Sequence, residues 1–219
     1  MSKEITTGIV NTELAELEEY MAGLPATTGG GHLIFGLDAT ASRQPTWDTA
    51  AKIQADMFKE AGHGLNIMLI YFRGGDECRA TGWIASPRQL EATMRKITCI
   101  TGETQIGRVL DRAGREKCPL VFVGDAMEGD DPDELCAKAR ALRAPVFMFQ
   151  EGDKPEVEKV FRKIAKITKG GFAKFEPGAA AELSKLLRVV AAYAVGGVKA
   201  LDAKQASLLI EWQRPDGIG

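Results

Sequence analysis

The stretch His32-Leu-Ile-Phe-Gly-Leu37-Asp38-Ala-Thr40-Ala-Ser42 decides how the chain reads. Six residues from His32 to Leu37 form a short, continuous and mostly apolar run, the pattern of a strand covered on both faces. The run ends abruptly in a carboxylate, after which hydroxyls stand at every second position. Ala50, Ile53, Met57 and Phe58 then recur at helical spacing. A buried strand that feeds a polar loop and then a helix is the unit of a parallel sheet.

The same alternation continues outward. Leu65–Phe72 is a second buried strand, and Arg73-Gly-Gly-Asp-Glu77 is a tight turn. Arg79–Ala85 follows too closely for a crossover, so it is expected to return antiparallel as an edge strand. Ser86-Pro87 opens a helix expected to run to about Thr98, with Ser86 as its cap. Ile106, Val109, Leu110 and Ala113 form a helical stripe, Leu120–Val123 a strand, Asp133–Arg143 a helix and Val146–Phe149 a strand. Pro155–Thr168 is a helix, Phe172–Phe175 a last short strand and Ala179–Ala194 a helix. The expected fold class is α/β: a Rossmann-like three-layer α/β/α sandwich with a mostly parallel six-stranded sheet and one antiparallel edge strand.

Residues 31–195 make one domain on this reading. Residues 1–30 carry an acidic amphipathic helix, Thr12–Met21, and a linker; glycines 29, 30 and 31 read as a flexible lead into the first strand. Residues 196–219 supply a terminal helix, Ala200–Trp212, and a loose tail. Both helices are expected to pack on the core.

Composition narrows the function. The 219 residues are 45% apolar and 26% charged, as in ordinary globular domains, which excludes fibres and disorder. A net charge of −2 gives no electrostatic footprint for nucleic acid. The apolar stretch Val189–Val198 is too short to span a bilayer, and Met1–Gly8 has no apolar signal core, so a cytoplasmic protein without membrane contact is expected. Cys78, Cys99, Cys118 and Cys136 lie far apart, with no CxxC pair and only His32 and His63 to join them. They read as reduced, mostly buried thiols.

The chemistry is expected at the carboxyl ends of the parallel strands, where strand order reverses. Three segments meet that condition: Asp38-Ala-Thr40-Ala-Ser42, Gly102-Glu-Thr104-Gln-Ile-Gly107 and Gly124-Asp125. Together they offer two carboxylates and three hydroxyls, an all-oxygen set suited to a hard cation such as Mg²⁺. Asp38, Thr40 and Ser42 can face one point if the backbone stays extended. Neutral hydroxyl ligands would leave such an ion with positive character, open to a carboxylate from another molecule. Residues 125–134 hold six acids and no base, a rim that would repel that carboxylate unless a dication offset it.

D-x-T-x-S after a buried strand, then G-x-T-x-I-G, then Asp after a later strand resemble the metal-ion-dependent adhesion site (MIDAS) of von Willebrand factor type A (VWA) domains. The resemblance covers roughly residues 31–194 and includes the edge hairpin. The family usually has Ser where Thr40 stands, and either residue supplies the hydroxyl. It implies Mg²⁺ or Mn²⁺ held by Asp38, Thr40, Ser42, Thr104 and Asp125, with Thr40 and Ser42 as direct ligands. It also implies a protein partner offering an Asp or Glu to the metal rather than catalysis. In bacteria such domains often serve chaperone-like ATPases, metal insertion or stress responses.

Two rivals share parts of this pattern. A haloacid dehalogenase-type phosphatase also has a strand-end Asp and a later acidic segment, resembled by Asp125 and Asp130. Its second Asp, the general acid, is replaced here by Thr40, and no lysine motif is evident. The other rival keeps the fold as a scaffold that binds by surface shape without a metal. Nucleotide binding is disfavoured: Gly102–Gly107 has P-loop spacing, but Arg108-Val109 replaces Lys-Ser/Thr.

Overall fold

The computed structural model describes residues 31–212. The expected Thr12–Met21 helix and the tail after Trp212 lie outside them.

The hydrophobic runs become strands β1 (His32–Asp38), β2 (Asn66–Arg73), β3 (Glu77–Ala80), β4 (Leu120–Gly124), β5 (Val146–Glu151) and β6 (Gly171–Phe175). They form one sheet in the order β3-β2-β1-β4-β5-β6. All neighbours are parallel except β3, which returns antiparallel on β2. The helices are α1 (Gln44–Ala61), α2 (Pro87–Met94), α3 (Ile106–Ala113), α4 (Pro132–Ala141), α5 (Pro155–Thr168), α6 (Ala180–Gly196) and α7 (Ala203–Glu211).

Because successive strand side chains alternate sides, β1 feeds both halves of the core. Leu33, Phe35 and Leu37 pack with residues of α1, α2, α6 and α7. Ile34 points the other way, among residues of α3, α4 and α5. Gly36 also belongs to that second side. A Cβ there would lie 3.1 Å from both Val109 and Phe122, so the missing side chain lets α3 settle against the sheet. The result is the expected three-layer sandwich.

The ends of several elements differ from their expected places. The edge strand stops at Ala80; beyond it the Thr81 amide still donates to the Leu69 carbonyl, the Thr81 hydroxyl accepts from the Leu69 amide, and Ile84 bridges to Ile67. The helix after Ser86 ends at Met94, where the chain turns back through bonds from Arg95, Lys96 and Ile97 to preceding carbonyls. Ser86 occupies its N-cap position without a side-chain cap bond, whereas Asp131 caps α4 by accepting from the amides of Asp133 and Glu134. Gly31, read as part of a flexible lead, is fixed. Its φ is +57°, its carbonyl accepts from Asn66, and a Cβ would fall 2.3 Å from the Gly64 carbonyl oxygen.

The terminal helix α7 does pack on the core. Leu209 is fully buried, and the Trp212 ring meets Phe147 and Phe149 edge-on. Trp47 is likewise buried, and its ring N–H donates to the Met94 carbonyl at 3.0 Å. The four cysteines are free; Cys118 and Cys136 are buried, Cys78 and Cys99 partly so. No helix among the described residues is long and apolar enough to cross a membrane.

Candidate metal centre at the carboxyl ends of β1 and β4

β1 lies between β2 and β4, so the connections leave its carboxyl end in opposite directions. This is the reversal point of the sheet, and Asp38 and Asp125 stand at it.

Asp38 closes β1 and is 2% exposed. The Thr40 amide donates to its Oδ1 at 2.7 Å, and the Thr40 hydroxyl hydrogen-bonds the same carboxyl. Among the described residues no Lys or Arg nitrogen forms an ion pair with it. Burial pushes its pKa up, against the lowering effect of the Thr40 bonds and the Arg43 charge; the charge on Asp125 adds to the rise. The loop itself is pinned. The Ala39 amide donates to the Phe72 carbonyl, and the Ala39 carbonyl accepts from Ile100.

Extended backbone continues only as far as Thr40, with φ −73° and ψ 159°. Ala41–Arg43 then coils into a 3-10 turn closed by a bond from the Arg43 amide to the Thr40 carbonyl. The extended loop that the D-x-T-x-S spacing invited is therefore cut short. Thr40 is buried next to Asp38, while Ser42 is exposed on the turn.

Asp125 follows β4 with a side chain 26% exposed, and two cations attend it. Arg43 Nε lies 3.5 Å from Oδ1, and Lys154 Nζ lies 3.8 Å from Oδ2. Arg43 escaped the sequence reading. Its only signal was position, a base directly after Ser42, and helical spacing alone would have placed it on a solvated face.

Thr104 is buried in the loop before α3, and its hydroxyl donates to Glu128 Oε2 at 3.3 Å. Glu128 Oε1 is 3.7 Å from Lys154 Nζ, so Thr104 connects to Asp125 through one acid and one base. The two loops are also stitched through their backbones. Asp130 accepts from the Ile106 amide at 2.6 Å and the Gly107 amide at 3.0 Å, filling the first turn of α3. Gly129 passes so close that a Cβ would meet the Thr104 carbonyl oxygen at 2.4 Å. Burial raises the pKa of Asp130, while those amide bonds hold it down. Asp130 is thus spent on a helix end, which weakens the phosphatase comparison.

Among the described residues no three His, Cys, Asp or Glu side chains gather as a metal site. The expected donors are two carboxylates and three hydroxyls. This set fits a hard dication in one decisive respect: Asp38 is a buried, ion-pair-free carboxylate whose charge is costly without a nearby cation.

No protein-family model matches the sequence, and no curated protein does either. Solved structures do match the fold. A von Willebrand factor type A protein from Catenulispora acidiphila superposes with a TM-score of 0.64 at 18% identity, over 77% of this chain and 43% of that one. The fold is therefore that of a VWA domain. The pilus adhesin SpaC from Lactobacillus rhamnosus GG follows, with a TM-score of 0.59 at 9% identity, over 77% of this chain and 30% of the adhesin. The SpRpn10 VWA domain gives a TM-score of 0.54 at 9% identity, over 71% of this chain and 94% of its own length. The chain spans under half of the first of these structures, and at such identities the VWA likeness concerns the fold.

Proposed function

We propose that this VWA-fold chain is a protein-binding module whose partner is held through a divalent cation, Mg²⁺ or Mn²⁺. Asp38, Thr40, Thr104 and Asp125 would hold the ion, with Ser42 reaching it from the exposed turn. Asp38 carries the reading: a buried carboxylate at the sheet's reversal point has one backbone amide, one hydroxyl and no ion pair to offset its charge. When bound, the ion would supply a Lewis-acidic position for an Asp or Glu of the partner. The protein's own part is positioning. Asp38 is fixed by Thr40, and the Thr104 loop is fastened to the Asp125 loop through Glu128, Gly129 and Asp130. The adhesin among the structural neighbours favours a binding role over a catalytic one. A bacterial partner within a chaperone-like ATPase or stress-response assembly, and a cytoplasmic setting, remain part of this proposal through the family resemblance alone.

The test is calorimetric titration of the purified chain with Mn²⁺ and Mg²⁺, repeated with Asp38→Ala. One saturable ion, lost in the variant and removed by EDTA, is the expected result. The second reading, a scaffold that binds by shape, draws on the two resident cations beside Asp125. No ion uptake, together with partner capture indifferent to EDTA, would establish it instead.

A further inference from the structure

Arg43 stands between the ends of two neighbouring strands. On one side its Nε lies 3.5 Å from Asp125, just after β4. On the other its Nη2 pairs directly with Oε2 of Glu151, the last residue of β5, and donates to the Thr46 hydroxyl at 2.9 Å. Thr46 in turn donates to the same Glu151 oxygen, and the Gly178 amide donates to the other at 3.3 Å. Arg43, Thr46 and Glu151 are all under 8% exposed, so this is a built interior network rather than a surface pairing.

The network solves a problem that the metal reading creates. A buried guanidinium beside a ligand carboxylate is a rival for the dication, since both are attracted to Asp125 and repel each other. Glu151 gives that guanidinium a closer anionic acceptor with its own supporting bonds. Asp38, Asp125 and Glu151 against Arg43 leave two negative charges uncompensated, the complement of one dication. Lys154 and Glu128, which pair with each other, do not alter that balance.

We propose that Glu151 is a positioning residue for the cation site: it holds Arg43 back from Asp125, and Arg43 is a resident competitor that sets the ion affinity. The proposal rests on the divalent-cation reading above. Without Glu151, Arg43 would have Asp125 as its remaining partner and would close on it through the guanidinium's parallel donors. Without both, Asp125 would be free of Arg43 and the local charge balance unchanged.

The experiment is Mn²⁺ titration followed by the electron paramagnetic resonance signal of the free ion, with circular dichroism melts to verify folding. It compares the wild-type chain with Glu151→Gln, Arg43→Met and the double variant Arg43→Met/Glu151→Gln. Glu151→Gln is expected to bind Mn²⁺ at least about tenfold more weakly, because a charge formerly neutralised now opposes the ion. Arg43→Met and the double variant are expected to bind as tightly as wild type or tighter. A merely structural role for the pair predicts a different order, with every variant weakened and the double no better than Glu151→Gln; that order overturns the proposal. If Glu151→Gln does not fold, the double variant decides alone. Wild-type or tighter binding supports the competitor role, and tenfold weaker binding refutes it. Wild-type chain that takes up no Mn²⁺, or Asp38→Asn that keeps full affinity, removes the metal reading and this proposal together. Wild-type uptake lost in Asp38→Asn but unchanged in Glu151→Gln removes this proposal only.

Discussion

Asp38 and Asp125 stand at the ends of adjacent parallel strands and differ in almost everything else. Asp38 is buried, bonded only by Thr40, and its pKa is pushed up chiefly by desolvation. Asp125 is a quarter exposed and flanked by Arg43 and Lys154. Asp38 has no ion pair and feels only the charge of Arg43 from farther off, whereas Asp125 has two cations beside it, each shared with a second acid. The lesson is that the strand-end position gives each acid its direction, while the loops that follow set its electrostatics. A dication serving both would be welcomed by the first and contested at the second.

Substitutions can break this contrast from either end. The largest expected effect is Arg43→Met on stability. It leaves Glu151 buried without its counter-charge and should cost about 3–5 kcal/mol in urea unfolding of the metal-free chain. A loss below about 1 kcal/mol would mean that water reaches Glu151 and the network is weaker than its burial indicates.

Asp38→Asn attacks the other end. It should lower Mn²⁺ affinity about a hundredfold, equivalent to about 2.7 kcal/mol. Its metal-free melting temperature should hold or rise, because a neutral amide avoids the cost of burying a charge. A variant that melts early and still binds Mn²⁺ would show Asp38 to be a structural residue.

The pH response follows in sign from the same burial. A carboxyl whose folded pKa is raised binds its proton more tightly when folded. Its contribution to stability is complete below the unfolded pKa and is lost as pH climbs through the folded one. Asp38 and Asp130 both act in this direction. Unfolding of the metal-free chain, followed from the ordinary carboxylate range to neutrality, should show this loss, and Asp38→Asn should shrink it. Added Mg²⁺ should recover stability at the neutral end in wild type alone. The smallest effect belongs to Lys154→Ala. Its half-exposed pairings with Asp125 and Glu128 should contribute less than about 1 kcal/mol, and the change should fade in high salt.

The fold was legible because its signals are local and repeated. Unbroken apolar runs marked β1, β2, β4 and β5, and Pro155–Thr168 matched α5 at both ends. Ends set by distant contacts were less so. Nothing in Arg95-Lys-Ile-Thr98 says that the chain turns there, and the rigid seat of Gly31 depends on Gly64, far along the sequence. At the site, the strand-end positions of Asp38 and Asp125 were legible, and they fall at the carboxyl ends of the adjacent strands β1 and β4. The 3-10 turn that exposes Ser42 was hidden, because alternation is a strand pattern that a short turn can also satisfy. Arg43 and Glu151 were hidden for a stronger reason. They sit 108 positions apart, and only the order of the strands brings them together.

The fastening of the Thr104 loop to the Asp125 loop has a mechanical corollary. With Asp130 seated on the first amides of α3 and Gly129 pressed to the Thr104 carbonyl, a tug on one segment is carried into the other. Because Gly36 lets α3 sit directly on the sheet, the stitched loops and the helix they open share one seat, and the two strand ends are braced by the same piece of packing.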